Sequence, residues 1–254
     1  MIICKSPKEI DILKKGNQIA AFILQELKKN CQPGVTTLEL DQIADRLIRK
    51  NNCLPAFKGY RNYPASLCTS INEEIVHGIP GERKLKNGDI VSLDIGVKLD
   101  GLYGDAAITI PVGEIDPESQ KLLQVTDEAL YKGIEKAHAG NRLSDISHAI
   151  QTWVEKHHFS VVRDFVGHGI GKNLHEEPQI PNFGKPGFGP RLREGMVLAL
   201  EPMVNVGTYE IKILSDGWTA VTADGSRSAH FEHSIAITNN GPLILSEPLK
   251  RKYS

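Results

Sequence analysis

The sequence has 254 residues, 40% hydrophobic and 24% charged, enough for one large domain or two small ones with a sizeable core. Lys plus Arg number 30 and Asp plus Glu 31, a formal net charge of −1, which excludes the basic excess of a dedicated nucleic-acid binder and leaves no DNA partner to expect. The opening Met1–Lys5 lacks the leader, apolar run and cleavage site of a signal peptide, and no stretch reaches the ~18 apolar residues of a membrane span, so a cytoplasmic protein away from membranes is expected.

Cys4, Cys31, Cys53 and Cys68 show no Cys-x-x-Cys spacing, which argues against a zinc knuckle or a disulfide framework and fits a reducing compartment. Basic clusters at Arg83–Lys86 and Lys250–Lys252 read as solvated surface.

Along the chain, Ser6-Pro7-Lys8-Glu9 has the form of a capping box, and Ile10, Leu13, Ala20, Leu24 and Leu27 follow at helical spacing. Pro33-Gly34 ends that helix. Thr36-Thr37-Leu38-Glu39 starts another, with Leu40, Ile43, Ala44 and Leu47 on one face. The order then recurs. Asp116-Pro117 caps a helix carrying Leu122, Val125, Ala129 and Ile134, Ala139-Gly140 breaks it, and a further helix turns Ile146, Ala149, Ile150 and Trp153 inward. Gly34 matches Gly140, and Leu40 matches Ile146, at an offset of 106 residues.

The strands echo each other as well. Gly88 to Asp94 and Gly195 to Glu201 are each a glycine, an apolar-rich strand and then a carboxylate, while Val76-His77-Gly78-Ile79 parallels Gly167-His168-Gly169-Ile170. We read one domain over 1–254, built of two similar halves, about 6–112 and 113–245. The fold class is α+β, with antiparallel strands inside, helices outside and a site where the halves meet.

Carboxylates are the unusual feature of these strands. Asp94 ends the apolar run Ile90–Ile95, and Glu201 ends Val197–Leu200, both poor places for an unpaired charge. A hairpin turning at Leu99–Asp100 sets Asp94 opposite Asp105, and a shift of the turn by one residue in either direction leaves them near diagonal neighbours. Two such carboxylates must share a proton or hold a cation. Alternation in Ala229–Ile237 puts Phe231 and Glu232 on opposite faces, so Glu232 is either an exposed strand residue or a further ligand. His168 stands between glycines that let backbone and substrate approach the imidazole. His175-Glu176-Glu177-Pro178 lies in a loop-like stretch and is not a His-Glu-x-x-His zinc helix. Four carboxylates and one histidine suit two divalent ions among Mn, Fe, Co and Zn, which together hydrolyse amides or esters.

With these residues in view, the sequence resembles the type I methionine aminopeptidases of bacteria. The resemblance rests on Pro55-Ala56-Phe57-Lys58-Gly59-Tyr60, Ser70 to Pro80, the strand to Asp94, Gly104-Asp105, Gly167 to Pro178, Leu200 to Asn205 and Phe231-Glu232-His233, and it runs from about Ser6 to about Leu245. It implies the pita-bread fold and a dinuclear centre, with Asp94, Asp105 and Glu232 on one metal. Asp105, His168, Glu201 and Glu232 would hold the other, so that Asp105 and Glu232 bridge. It implies water as nucleophile, Glu201 as its proton acceptor, His175 on the scissile carbonyl oxygen, and His77 on the backbone around the scissile amide. It places Phe57, Tyr60, Tyr63, Cys68, Leu174 and Trp218 around the methionine side chain, although some relatives carry Cys where Phe57 stands and Phe where Leu174 stands. A monovalent cation would sit on the backbone carbonyls of Asn72, Glu74 and Ser228. The implied partners are nascent polypeptide N-termini with a small second residue, with transient contact to the ribosome, and the expected state is a monomer. A proline-specific peptidase of the same fold usually has a large N-terminal domain, and an inactive relative loses ligands, whereas all five positions are present here.

Overall fold

Each helix starts where a side chain can satisfy its free backbone amides. In the computed structural model, which describes residues 1–247, helix α1 (Pro7–Asn30) follows Ser6, whose amide donates to the Glu9 carboxylate at 2.9 Å. Helix α2 (Thr37–Lys50) repeats the box, with the Thr36 amide on Glu39 at 2.7 Å and the Glu39 amide on the Thr36 hydroxyl at 3.1 Å. Helix α3 (Pro117–Ile134) is capped by Asp116, which accepts from the Ser119 amide at 2.9 Å. The basic cluster expected at 250–252 lies outside the described residues.

Helix α4 (Leu143–Lys156) differs from expectation in its phase. Leu143, Ile146, Ser147, Ile150 and Val154 are its buried residues, whereas Ala149 and Trp153 are only half-buried. Trp153 packs against the edge of the core, and its indole N–H reaches the Glu128 carboxylate at 3.2 Å.

Among the described residues the main sheet has nine strands: β1 (Leu54–Pro55), β2 (Leu67–Ile71), β3 (Ile90–Leu99), β4 (Leu102–Pro111), β5 (Gly167–Gly169), β6 (Glu176–Ile180), β7 (Val197–Leu200), β8 (Glu232–Thr238) and β9 (Gly241–Ile244). Their order is β1-β3-β4-β8-β7-β5-β6, with β2 on β3 and β9 on β8, and every pairing is antiparallel. The α1 and α2 side chains Leu24, Leu27, Leu40 and Ile48 bury against Leu67, Val91, Leu93 and Ile95, and the α3 and α4 side chains bury against Leu198, Leu200, Ile235 and Ile237. Helices therefore cover the sheet separately in each half, and the β4–β8 pair joins the halves.

The halves correspond closely. Helices α2 and α4 occupy spans 106 residues apart, Gly34 and Gly140 both have φ +95°, and the bridge Thr36 to Lys84 is matched by Arg142 to Arg191. Only a residue without a Cβ takes that left-handed conformation without strain, so the breaker glycine is fixed at the same place in both halves. The architecture is the α+β pita-bread fold. Among the described residues, no helix is long and apolar enough to cross a membrane.

Candidate metal centre

The β3–β4 turn falls one residue later than its central expectation. Leu99 pairs with Leu102 around Asp100 and Gly101, which take φ +48° and +83°. Asp94 consequently faces Ala107, Asp105 faces Gly96, and the two carboxylates are diagonal neighbours on one face. Ala107 also pairs with Glu232 across β8, so its methyl group leaves room between the carboxylates of Asp94 and Glu232. On the other side, His233 pairs with Leu200, which brings Glu201 alongside Glu232, and Ala199 pairs with His168. Five strands from both halves thus present Asp94, Asp105, Glu232, Glu201 and His168 to one space.

The glycines around His168 admit neighbouring backbone, as expected, and the backbone they admit is that of the flanking strands. A Cβ at Gly167 would lie 2.4 Å from the Ala199 carbonyl oxygen, and one at Gly169 would lie 2.3 Å from that of Glu177. Their role is to let β5 pack between its neighbouring strands, which fixes the histidine's depth. His168 Nδ1 lies 2.9 Å from the Gly169 carbonyl, so it carries the proton and donates there, leaving Nε2 as a lone-pair donor toward the carboxylates. Nε2 is 3.4 Å from Glu201 and 4.0 Å from Asp105. Burial pushes the His168 pKa down to about 3, reinforced by His175, so the imidazole is neutral.

Each carboxylate responds to the crowding. Burial pushes Asp94 up to about 7. Burial raises Asp105 well above the usual carboxylate range, with Glu232 and Asp94 adding to it. Glu201 and Glu232 are likewise raised, first by burial and then by neighbouring carboxylates. Asp94 Oδ1, Asp105 Oδ1 and Glu232 Oε1 are buried without a hydrogen-bond partner, which is costly for an anion unless a cation replaces the lost water. Ligand atoms of Asp105, His168 and Glu232 lie within 4.8 Å of one another, with Asp94 and Glu201 beside them. Orphaned oxygens, a neutral imidazole and a hard-to-borderline donor set fit divalent metal ions.

A cavity of about 280 Å³ opens beside this cluster, lined by all five acidic and imidazole groups together with Phe57, Tyr60, Tyr63, Cys68, Leu174, Trp218, His77 and His175. Phe57, Tyr63, Cys68 and Leu174 are buried and form its apolar wall. His77 follows Val76, which pairs with Ala220, and this pairing sets the imidazole against Trp218 with ring centroids 6.1 Å apart. His77 has φ +62°, a conformation that a non-glycine residue keeps only when its surroundings hold it there. Burial lowers its pKa to about 4.

His175 stands at the cavity mouth, with its Nδ1 2.8 Å from the Tyr60 hydroxyl. Its pKa is lowered first by the water its ring loses against the cavity wall and then by the charge of Arg61. The loop behind it is tied to the chain start. Lys5 Nζ meets Glu176 at 2.7 Å in a buried ion pair, Glu176 also accepts from the Asn173 amide, and the Lys5 amide donates to the Gly195 carbonyl at 2.6 Å.

Arg61, Asp164, Phe165 and Val166 also line the cavity and were not expected from the sequence. They lie in irregular segments without periodicity, and the available signal was adjacency: Arg61 between two pocket tyrosines, Phe165-Val166 just before Gly167-His168. His230 was missed too. It is buried with both ring nitrogens unpaired, and its Nε2 is 3.8 Å from Glu201.

Comparison with known proteins places this arrangement. Residues 11–239 match the description "Metallopeptidase family M24". The chain is 58% identical over 246 residues to methionine aminopeptidase 1 of Bacillus subtilis, covering 97% of this chain and 99% of that one. The chain belongs to metallopeptidase family M24. Another relative, methionine aminopeptidase of Aquifex aeolicus, is 47% identical, covering 95% of this chain and 97% of that one. The crystal structure of methionine aminopeptidase from Thermotoga maritima superposes with a TM-score of 0.96 at 50% identity, covering 97% of this chain and all of that one. The prolidase from Pyrococcus horikoshii, at 22% identity and a TM-score of 0.80, shares the fold. Membership of M24 makes the chain a metal-dependent peptidase, in keeping with the donor set described above.

Proposed function

We propose that this chain is a methionyl aminopeptidase that removes the initiator methionine from nascent proteins. The observation that carries the proposal is the acidic, five-ligand cluster set against an apolar wall in one cavity, in a chain whose relatives are named methionine aminopeptidases. Asp94, Asp105 and Glu232 would hold one divalent ion, and Asp105, His168, Glu201 and Glu232 a second, Mn, Fe, Co and Zn all being compatible with such donors. When bound, the ions supply Lewis acidity and lower the pKa of water.

The chain's own groups do the rest. Glu201, raised by its surroundings, takes a proton from the attacking water and returns one to the leaving amine. His175 donates to the carbonyl oxygen as negative charge develops there. His77, held in its left-handed conformation, positions the backbone around the scissile amide. Phe57, Tyr60, Tyr63, Cys68, Leu174 and Trp218 receive the flexible thioether. A free substrate amine suits the acidic end, which makes the reaction exopeptidic, and crowding beyond the scissile bond favours a small uncharged second residue. The carbonyls of Asn72, Glu74 and Ser228 would take a monovalent cation. In support, the Ser228 amide donates to the Asn72 carbonyl at 2.8 Å, so two of the three segments adjoin. We read the whole chain as one catalytic unit, cytoplasmic and monomeric, that meets its substrates during transient contact with the ribosome.

The protein should release free methionine from Met-Ala-Ser, stop when chelated, and recover when a divalent metal is restored, while Pro-containing peptides distinguish a proline-specific enzyme. Release that survives chelation, or none with any divalent metal, overturns the proposal. His175→Ala should lower turnover by about 10²–10³-fold, the size of a lost oxyanion donor, while calorimetric metal affinity stays near that of the parent. Unchanged turnover removes His175 from the mechanism.

A further inference from the structure

The cavity contains two buried or half-buried tyrosines of similar origin but different state. Tyr63 spends its hydroxyl on the fold, donating toward the backbone carbonyls of Gly78 at 2.9 Å and Leu67 at 3.1 Å. Tyr60 makes no such contact. Among the described residues its hydroxyl meets only His175 Nδ1, at 2.8 Å, across 115 residues of chain, and the two rings lie 5.3 Å apart, inclined by 33°.

The backbone that delivers Tyr60 is unusual. Gly59, Arg61 and Asn62 have φ of +86°, +47° and +71°, so two non-glycine residues in succession adopt the left-handed region. The turn is closed by the Gly59 amide on the Tyr63 carbonyl at 2.8 Å and by the Tyr63 amide on the Tyr60 carbonyl at 2.9 Å. Conformations this unfavourable persist where the surroundings impose them, and they collect at functional sites. Here the turn projects one phenol over the cavity mouth, with the Arg61 guanidinium 5.4 Å from its ring.

The chemistry of the contact depends on which atom carries the hydrogen. A neutral imidazole has one N–H and one bare nitrogen. If Nδ1 held the hydrogen and donated to the phenol, Nε2 would be bare and could not donate to a substrate carbonyl. If the phenol donates to Nδ1, the hydrogen is held on Nε2, the nitrogen left free for the cavity.

We propose that Tyr60 is a positioning residue for His175: its hydroxyl donates to Nδ1, fixes the Nε2–H tautomer and aims that N–H at the scissile carbonyl oxygen. This rests on the reading of His175 given above, and it gives Tyr60 a role separate from that of a pocket wall. The two residues then behave as a pair in which the phenol never touches the reacting atoms.

Tyr60→Phe is the test, because it keeps the ring and removes only the hydroxyl. With Met-Ala-Ser as substrate, kcat should fall between roughly tenfold and a hundredfold, as when a supporting hydrogen bond or a tautomer is lost, and KM should stay close to that of the parent. Imidazole ¹⁵N shifts, recorded on the metal-free and zinc-loaded protein, should show distinct Nδ1 and Nε2 signals for His175 in the parent. In Tyr60→Phe they should move toward each other as the tautomers mix. A variant with unchanged kcat and unchanged ¹⁵N shifts overturns the inference, as does one that raises only KM. If His175→Ala is inactive while Tyr60→Phe is not impaired, this inference fails and the reading of His175 stands. If His175→Ala is fully active, both fail together.

Discussion

Asp105→Ala should abolish turnover and metal-induced stabilisation together. Asp105 is the best-connected carboxylate of the cluster: it is buried, one oxygen is unpaired, and it lies within ligand distance of both His168 and Glu232. Metal-assisted stabilisation of a transition state supplies several kcal/mol, so turnover on Met-Ala-Ser should fall by roughly 10³-fold or more. The metal-free variant should behave in the opposite sense. Removing Asp105 takes away a carboxylate raised first by its burial and then by Glu232 and Asp94, and it lifts one of the charges that raise Glu201, so at neutral pH the metal-free variant should melt higher than the metal-free parent. Thermal melts with and without divalent ion, alongside steady-state kinetics, separate the two effects. A variant that keeps both its activity and its metal response is incompatible with the assigned centre.

The second large effect links pH to metal. Asp94 titrates near 7 in the folded chain, and Asp105, Glu201 and Glu232 are raised as well, against ordinary values near 4 when unfolded. The folded state therefore binds more protons than the unfolded state, and stability falls as pH rises through the folded values. The buried histidines act in reverse: His168, His77 and His230 are lowered to about 3, 4 and 3, so their contribution is lost as pH falls below the unfolded value near 6.5. Above about pH 7.5 the histidines are neutral in both states, and the raised carboxylates set the slope, joined toward pH 9 by Cys31, Cys53 and Cys68, whose thiols burial raises as well. The melting temperature of the metal-free protein should decline from about pH 7 to 9. Divalent ions bind the ionised form and should remove that decline. At a hundred times its Kd, a single ion adds about 2.7 kcal/mol, which corresponds to about 5–10 °C for a chain of this size. A flat metal-free profile across this window refutes the assigned electrostatics.

Legibility in the sequence followed the physics of each residue. Asp94 and Glu201 were visible because a charge at the end of an apolar strand contradicts its neighbours. The halves were visible because the breaker glycine and the helix after it recur 106 residues on, and because each half carries an apolar strand that runs from a glycine to a carboxylate. Glu232 was ambiguous, since alternation in one strand does not say which face is buried; only its pairing with Ala107 does. The Asp94–Asp105 register was off by one turn position because Asp100 and Gly101, not Leu99, adopt the left-handed pair. Trp153 was placed inward because it continues the helical spacing of Ile146, Ala149 and Ile150, whereas the face of α4 also includes Leu143 and Val154. Arg61 and Phe165 reach the cavity, and His230 reaches Glu201, through turns and strand crossings that no local pattern encodes.

The pairing of β4 with β8 carries a consequence for biosynthesis. Ala107 must find Glu232, and Lys5 must find Glu176, so the centre closes across separations of 125 and 171 residues. Contacts this distant in sequence form late and slowly, after local helices and the β3–β4 hairpin. A copy of this protein still being translated has its first half complete while the second set of ligands remains inside the ribosome. It can therefore acquire a working centre only when almost the whole chain has emerged.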